Sequence, residues 1–236
     1  MLGILGGMGP MATVDFMAKV ISNTHASDDQ SHIPMIVHSV PQIPDRTSCI
    51  VSGTESPLAA LSQGLNRLVA SGCSMIAIPC NTAHYWHQDL TRISPVPILH
   101  IAHSCARQLR QRDISRVALL ATQGTVNAGI YQLLESEYGI EVGYPDPAQQ
   151  QQVMAAIYAV KSGQVESGAR MLEQQVAAML EAGFESTILG CTEIPFALDS
   201  IESELRHATL DATLALAQEC VSWYQSQSRQ PPLAVG

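Results

Sequence analysis

Charge is scarce in this 236-residue sequence: only 14% of its residues are charged, and 12 Lys and Arg stand against 21 Asp and Glu, for a formal net charge of −9. A nucleic-acid-binding face needs a basic patch. The basic residues are scattered, apart from Arg107, Arg110 and Arg112, whose helical spacing beside Gln108 and Gln111 reads as a solvated helix face. No nucleic-acid partner is expected. Nor is there an uninterrupted apolar run of about 18 residues, so no membrane span is expected. The apolar N-terminus has no basic leader and is broken by Gly and Pro, which makes it a first core strand rather than a signal peptide. The six cysteines include no C-x-x-C pair, and six in a chain this long do not make a disulfide scaffold. Cys80 and His84 give C-x₃-H, which fits no standard zinc pattern, so no metal is expected. These absences describe a cytoplasmic protein.

What is present is apolar and periodic. Apolar residues make up 46% of the chain, enough to build real cores. Strands are expected at 1–5, 33–38, 75–79, 96–101, 117–120, 140–142 and 186–190. Helices are expected at 11–23, 58–70, after Cys80, and at 102–111, 126–138, 149–159, 165–182 and 211–226. The stretch 41–57, rich in Pro, Gly and polar residues, reads as a long irregular loop, and such loops are usually functional or disordered. Residues 228–236 read as a frayed tail. Strands alternating with helices of this length predict α/β architecture with parallel sheets.

The chain is organised around Ser74-Met-Ile-Ala-Ile-Pro-Cys80-Asn-Thr-Ala-His84, a short buried strand delivering a cysteine to a helix start. Ser186-Thr-Ile-Leu-Gly-Cys191-Thr-Glu-Ile-Pro195 repeats the pattern. Gly72 and Gly183 each lie eight residues before their cysteine and close an amphipathic helix. A second echo pairs Leu2-Gly-Ile-Leu-Gly-Gly-Met-Gly9 with Val117-Ala-Leu-Leu-Ala-Thr-Gln-Gly124. The repeat predicts two similar parallel-sheet α/β subdomains related by a pseudo-twofold, residues 1–98 plus 208–236 carrying Cys80 and residues 99–207 carrying Cys191. The active site is expected in the cleft between them, because ligands sit beyond the C-terminal ends of parallel strands. A thiol at a helix start is favoured as thiolate.

Two opposed thiols could form a redox disulfide, share a metal, or serve as acid and base on opposite faces of one carbon. Acid–base groups work best with a pKa near the operating pH. Cys49, Cys73, Cys105 and Cys220 read as small apolar core residues. Gly7-Met-Gly9-Pro-Met-Ala12 matches a dinucleotide fingerprint, but Pro10 removes an N–H from the cradle and the second strand ends in His38-Ser39 without an acid for a ribose. Lys161 reads by default as a cation at a helix C-terminus. Arg46 reads as a surface arginine or as the partner of a substrate carboxylate.

At these residues the chain resembles the aspartate/glutamate racemase family of cofactor-independent amino-acid racemases. The matching blocks are Ile4-Leu-Gly-Gly-Met-Gly-Pro10, Pro41-Gln-Ile-Pro-Asp-Arg46, Ile78-Pro-Cys-Asn-Thr-Ala-His84 and Leu189-Gly-Cys-Thr-Glu-Ile-Pro195, in the family's order. The resemblance implies that Cys80 and Cys191 are an acid–base pair, with Cys191 taking the α-proton of the L-substrate and Cys80 that of the D-substrate. It implies further that Met8, Arg46, Asn81, Thr82, Lys161 and Thr192 line the site, that no cofactor is needed, and that the protein is a homodimer. His103 stands where such proteins often carry an acid. The expected function is PLP-independent racemisation of an acidic amino acid, aspartate ahead of glutamate, with broader specificity open. An amino-acid-binding sensor without turnover and a nicotinamide-dependent oxidoreductase are the alternatives.

Overall fold

The computed structural model describes residues 1–228, so the tail expected at the C-terminus lies outside the described residues apart from Ser228. The first half opens with β1 (Leu2–Gly6), fully buried, and α1 (Pro10–Asn23), whose Pro at N1 needs no amide partner. β2 (Met35–Ser39), α2 (Arg46–Ser52), α3 (Leu58–Ala70), β3 (Met75–Ala77), a 3₁₀ turn at Thr82–Trp86 and α4 (His87–Ile93) follow. The strands form a parallel sheet in the order β2-β1-β3, with Leu2 opposite both Met35 and Met75.

The second half repeats the plan. It begins with α5 (Ile101–Gln111), β4 (Arg116–Ala121), α6 (Gln123–Asn127), α7 (Leu133–Tyr138) and β5 (Glu141–Gly143). It continues with α8 (Pro147–Lys161), α9 (Val165–Glu181), β6 (Ser186–Gly190), α10 (Glu193–Ser200), β7 (Thr209–Asp211) and α11 (Ala212–Ser228). Its parallel sheet runs β5-β4-β6-β7. The two halves are similar α/β units related by a pseudo-twofold, with β1 and β4 as equivalent central strands.

One apolar cluster joins the halves. It takes Leu2, Ile4, Phe16 and Val20 from the first and Val117, Leu119 and Ile188 from the second, with Leu216 of α11 packed among them. α11 packs against both α1 and α5. The Lys19 ammonium on α1 pairs with Asp211 at 2.8 Å and donates to Thr213 at 2.9 Å, so a mostly buried cation reinforces that seam. Each half also has an outer cluster, one holding Cys80 with Leu61, Leu65 and Ile78, the other holding Cys191 with Val153, Leu172 and Ile194.

Three local expectations are corrected. The strand expected at 96–101 reduces to a single bridge between Ile76 and Ile98. Pro95 and Pro97 have no N–H to give a ladder, and the His100 imidazole accepts from Ala102 N, starting α5 instead. The helix expected at 126–138 is broken into α6 and α7 by a turn through Gly129. The irregular stretch contains α2, which Asp45 caps by accepting from Ser48 N at 2.7 Å.

Candidate active site

Cys80 lies three residues past the end of β3, is 7% exposed, and leads into the 3₁₀ turn. A buried histidine holds this corner. His84 Nδ1 donates to the Cys80 carbonyl at 2.9 Å, and its Nε2 accepts from Ile101 N at 3.2 Å, so the ring acts as a neutral clamp. Burial, followed by the neighbouring His87, pulls its pKa down to about 4. His84 is the inner end of an array of four imidazoles, with His84–His100, His87–His100 and His100–His103 ring centroids 4.6–5.0 Å apart. His103 is the outer end and contacts Tyr138 Oη at 3.0 Å, so it reaches Cys80 only through the other rings.

This array has a consequence for acid stability. In the unfolded chain His84 titrates near 6.5, and in the folded protein near 4. The unfolded state therefore binds the extra proton between those values, and stability falls as pH drops from about 6.5 toward 4. His84 alone contributes a loss of about 3 kcal/mol by the lower limit. Urea midpoints should fall between pH 7 and pH 5, and His84→Gln should flatten that slope. A midpoint independent of pH over this range would contradict the assignment.

Cys191 follows β6 directly and is also 7% exposed. Its Sγ donates to Glu193 Oε2 at 2.9 Å, and the Thr192 hydroxyl donates to the same oxygen at 3.0 Å. Burial, with the Glu193 carboxylate beside it, pushes the Cys191 thiol well above its ordinary value. The expectation that a helix start favours thiolate is thus overturned for Cys191. Burial and a full carboxylate charge in contact together outweigh the fractional charge of the α10 N-terminus.

Lys161, the last residue of α8, lies 3.7 Å from Glu193 Oε1 with a side chain 42% exposed. Burial opposes its charge, but Glu193, Cys191, Cys80 and Asp45 together outweigh it and raise its pKa. The two cysteines, each in the outer cluster of its own half, therefore share one cation as a neighbour. Both are free thiols, with no disulfide between them.

Of the remaining sequence-derived residues, Asn81 and Thr82 follow Cys80 directly, Met8 packs in its cluster, and Thr192 follows Cys191. Met8 packs in the Cys80 cluster, at the turn after β1 where Gly7 has φ +93° and an added Cβ would come 2.3 Å from Val40 N. The Thr82 hydroxyl bonds to Thr125 at 2.8 Å and Thr122 at 3.1 Å, which themselves lie 3.1 Å apart. Thr47 on α2 extends this set by donating to Thr122 at 3.3 Å. α2 can come so close to α6 because Gly124 has no side chain, and a Cβ there would lie 2.8 Å from Thr47 Cα.

Arg46 Nη1 donates to the Ile43 and Pro44 carbonyls at 3.1 and 2.9 Å, and its buried Nε has no partner among the described residues. Asn81 is 3% exposed, accepts from Tyr131 Oη at 2.6 Å, and leaves its buried Nδ2 without a partner among the described residues. Glu193, Thr122, Thr125 and Tyr131 were not singled out from sequence. Glu193 stands two residues from Cys191, and Thr122 falls inside the second echo, so those two had a signal. Tyr131 had none.

Two pseudo-twofold-related parallel α/β halves, each with a buried cysteine just past a strand, define the class: a two-halved racemase. The chain belongs to the Asp/Glu/Hydantoin racemase family, whose model matches residues 5–220. It is an isomerase of the cofactor-independent racemase class. It is 31% identical over 228 residues to the broad specificity amino-acid racemase RacX of Bacillus subtilis, covering 95% of this chain and 98% of that protein. Among solved structures it is similar to Picrophilus torridus aspartate racemase, with a TM-score of 0.84 and 31% identity over 95% of this chain and 94% of that one. Glutamate racemase from Francisella tularensis in complex with D-glutamate shares the fold, with a TM-score of 0.69 at 18% identity over 98% of this chain and 83% of that one. Among the described residues no helix is long and apolar enough to cross a membrane.

Proposed function

We propose that this enzyme racemises an acidic amino acid, aspartate ahead of glutamate, by a two-base mechanism in the cleft between its halves. Cys80 and Cys191 act on opposite faces of the α-carbon: one sulfur removes the α-proton while the other delivers a proton from behind. The observation that carries this reading is the matched placement of Cys80 and Cys191, each buried just past the end of a parallel strand in its own half. Lys161 and Arg46 hold the substrate carboxylates. Asn81, Thr82 and Thr192 supply neutral hydrogen bonds, and Met8 packs against the substrate. In the free enzyme Cys191 rests as the thiol. Glu193, already accepting from its Sγ, takes that proton when Cys191 must act as the base. The working unit is a homodimer of chains divided near residues 98 and 208.

Substrate is tested with a chiral assay of D- and L-aspartate and D- and L-glutamate on purified, PLP-free protein. A panel of neutral and basic amino acids is run in parallel, because one relative is a broad specificity racemase. Turnover of an acidic amino acid supports the proposal. Turnover confined to neutral or basic substrates removes the acidic assignment.

The Glu193 contact has its own test. Glu193→Gln removes the charge that raises the Cys191 thiol while Lys161 remains, so the thiol pKa falls. In the L-to-D direction, where Cys191 is the base, the rise of kcat/KM with pH should move to lower pH. A profile that does not move would show that Glu193 leaves the thiol untouched.

A further inference from the structure

Asn81 has one half of its amide satisfied and the other half bare. Its Oδ1 accepts from Tyr131 Oη at 2.6 Å across 50 residues of sequence, while its Nδ2 is buried with no partner among the described residues. A buried donor left without an acceptor is unfavourable. Such an atom beside a reactive cysteine is satisfied when a ligand brings an acceptor. Tyr131 is 1% exposed, and its ring packs in the cluster that joins the two halves. The second neighbour of its hydroxyl is Cys105 Sγ, at 3.8 Å.

We propose that Tyr131 is a positioning residue for the racemase reaction, locking the Asn81 amide so that Nδ2 donates to a carboxylate oxygen of the bound amino acid. This rests on the reading of Asn81 as a substrate contact.

The direction of the hydrogen bonds decides which edge of the amide is presented. Burial pushes the Cys105 thiol up to about 12 and raises the Tyr131 phenol well above its ordinary value, so both keep their protons. Cys105 S–H then donates to Tyr131 Oη, and the single phenolic proton is left for Asn81 Oδ1. The reversed amide would need the phenol to donate to sulfur, a weak acceptor. It would also turn a carbonyl oxygen toward the substrate, where it would suit the ammonium and repel the carboxylate.

The test is a double-mutant cycle with L-aspartate, with melting temperatures recorded for every variant. Asn81→Ala and Tyr131→Phe should each lower kcat/KM about tenfold or more, and the double variant should be no worse than Asn81→Ala. Asn81→Asp keeps the acceptor for Tyr131 but sets a second oxygen where Nδ2 stood. It should lose more activity than Asn81→Ala, which keeps the proposal testable if Tyr131→Phe does not fold. Wild-type kinetics for Asn81→Ala would overturn the substrate-contact reading and this inference with it. An impaired Asn81→Ala beside a wild-type Tyr131→Phe would overturn the positioning role alone. Additive losses, or an active Asn81→Asp, would likewise overturn it.

Discussion

Cys80→Ala and Cys191→Ala should each abolish racemisation in both directions, by a factor on the order of 10²–10⁴ or more, because the missing sulfur is the base for one direction and the acid for the other. Proton exchange should survive in halves. In deuterated water, Cys80→Ala should still wash deuterium into L-aspartate through Cys191 while D-aspartate stays protonated, and Cys191→Ala should show the opposite preference. NMR of the α-proton reads this directly. Exchange of both enantiomers by both variants would mean that another base serves the site. Exchange with the preferences reversed would keep the two-base mechanism and overturn only which sulfur faces which enantiomer. Cys191→Ala also removes the hydrogen-bond donor to Glu193. Cys191→Ser restores a donor without restoring an equivalent acid, so it should recover stability but not turnover.

The second large effect is expected at Arg46. Losing a charged hydrogen bond to a desolvated carboxylate costs about 2–5 kcal/mol, which is roughly a 30- to 4,000-fold rise in KM for Arg46→Ala. The geometry supplies a reason to expect more than a surface effect. Two backbone carbonyls fix one edge of the guanidinium, and its buried Nε has no acceptor among the described residues. Arg46→Lys should recover little, since an ammonium cannot reproduce the planar fork. Lys161→Ala should raise KM less, because its side chain is partly solvated and already paired with Glu193. Unchanged KM for aspartate and glutamate in both alanine variants would reject the carboxylate assignment. A fall in melting temperature with unchanged KM would make Arg46 a support of its own loop and nothing more.

Sequence by itself determined the parts of this protein that depend on local pattern. Strand–helix alternation identified parallel α/β halves, and the two echoes identified their kinship, because buried strands and amphipathic helices carry periods that the chain displays directly. Cys80 and Cys191 were legible for the same reason: each ends a short apolar run. The elements that failed were short ones governed by single contacts, such as the helix α2 made by the Asp45 cap and the strand lost to Pro95 and Pro97. Tertiary structure alone decided the chemistry of those cysteines. A helix start favours thiolate at any sequence position, but burial, together with Glu193 2.9 Å from Sγ, raises the Cys191 thiol and keeps it protonated at rest. The closeness of α2 to α6 at Gly124 and the reach of Tyr131 to Asn81 also join residues from opposite halves. Spacing along the chain encodes which face a side chain occupies, and the meeting of two faces is set by how the halves pack.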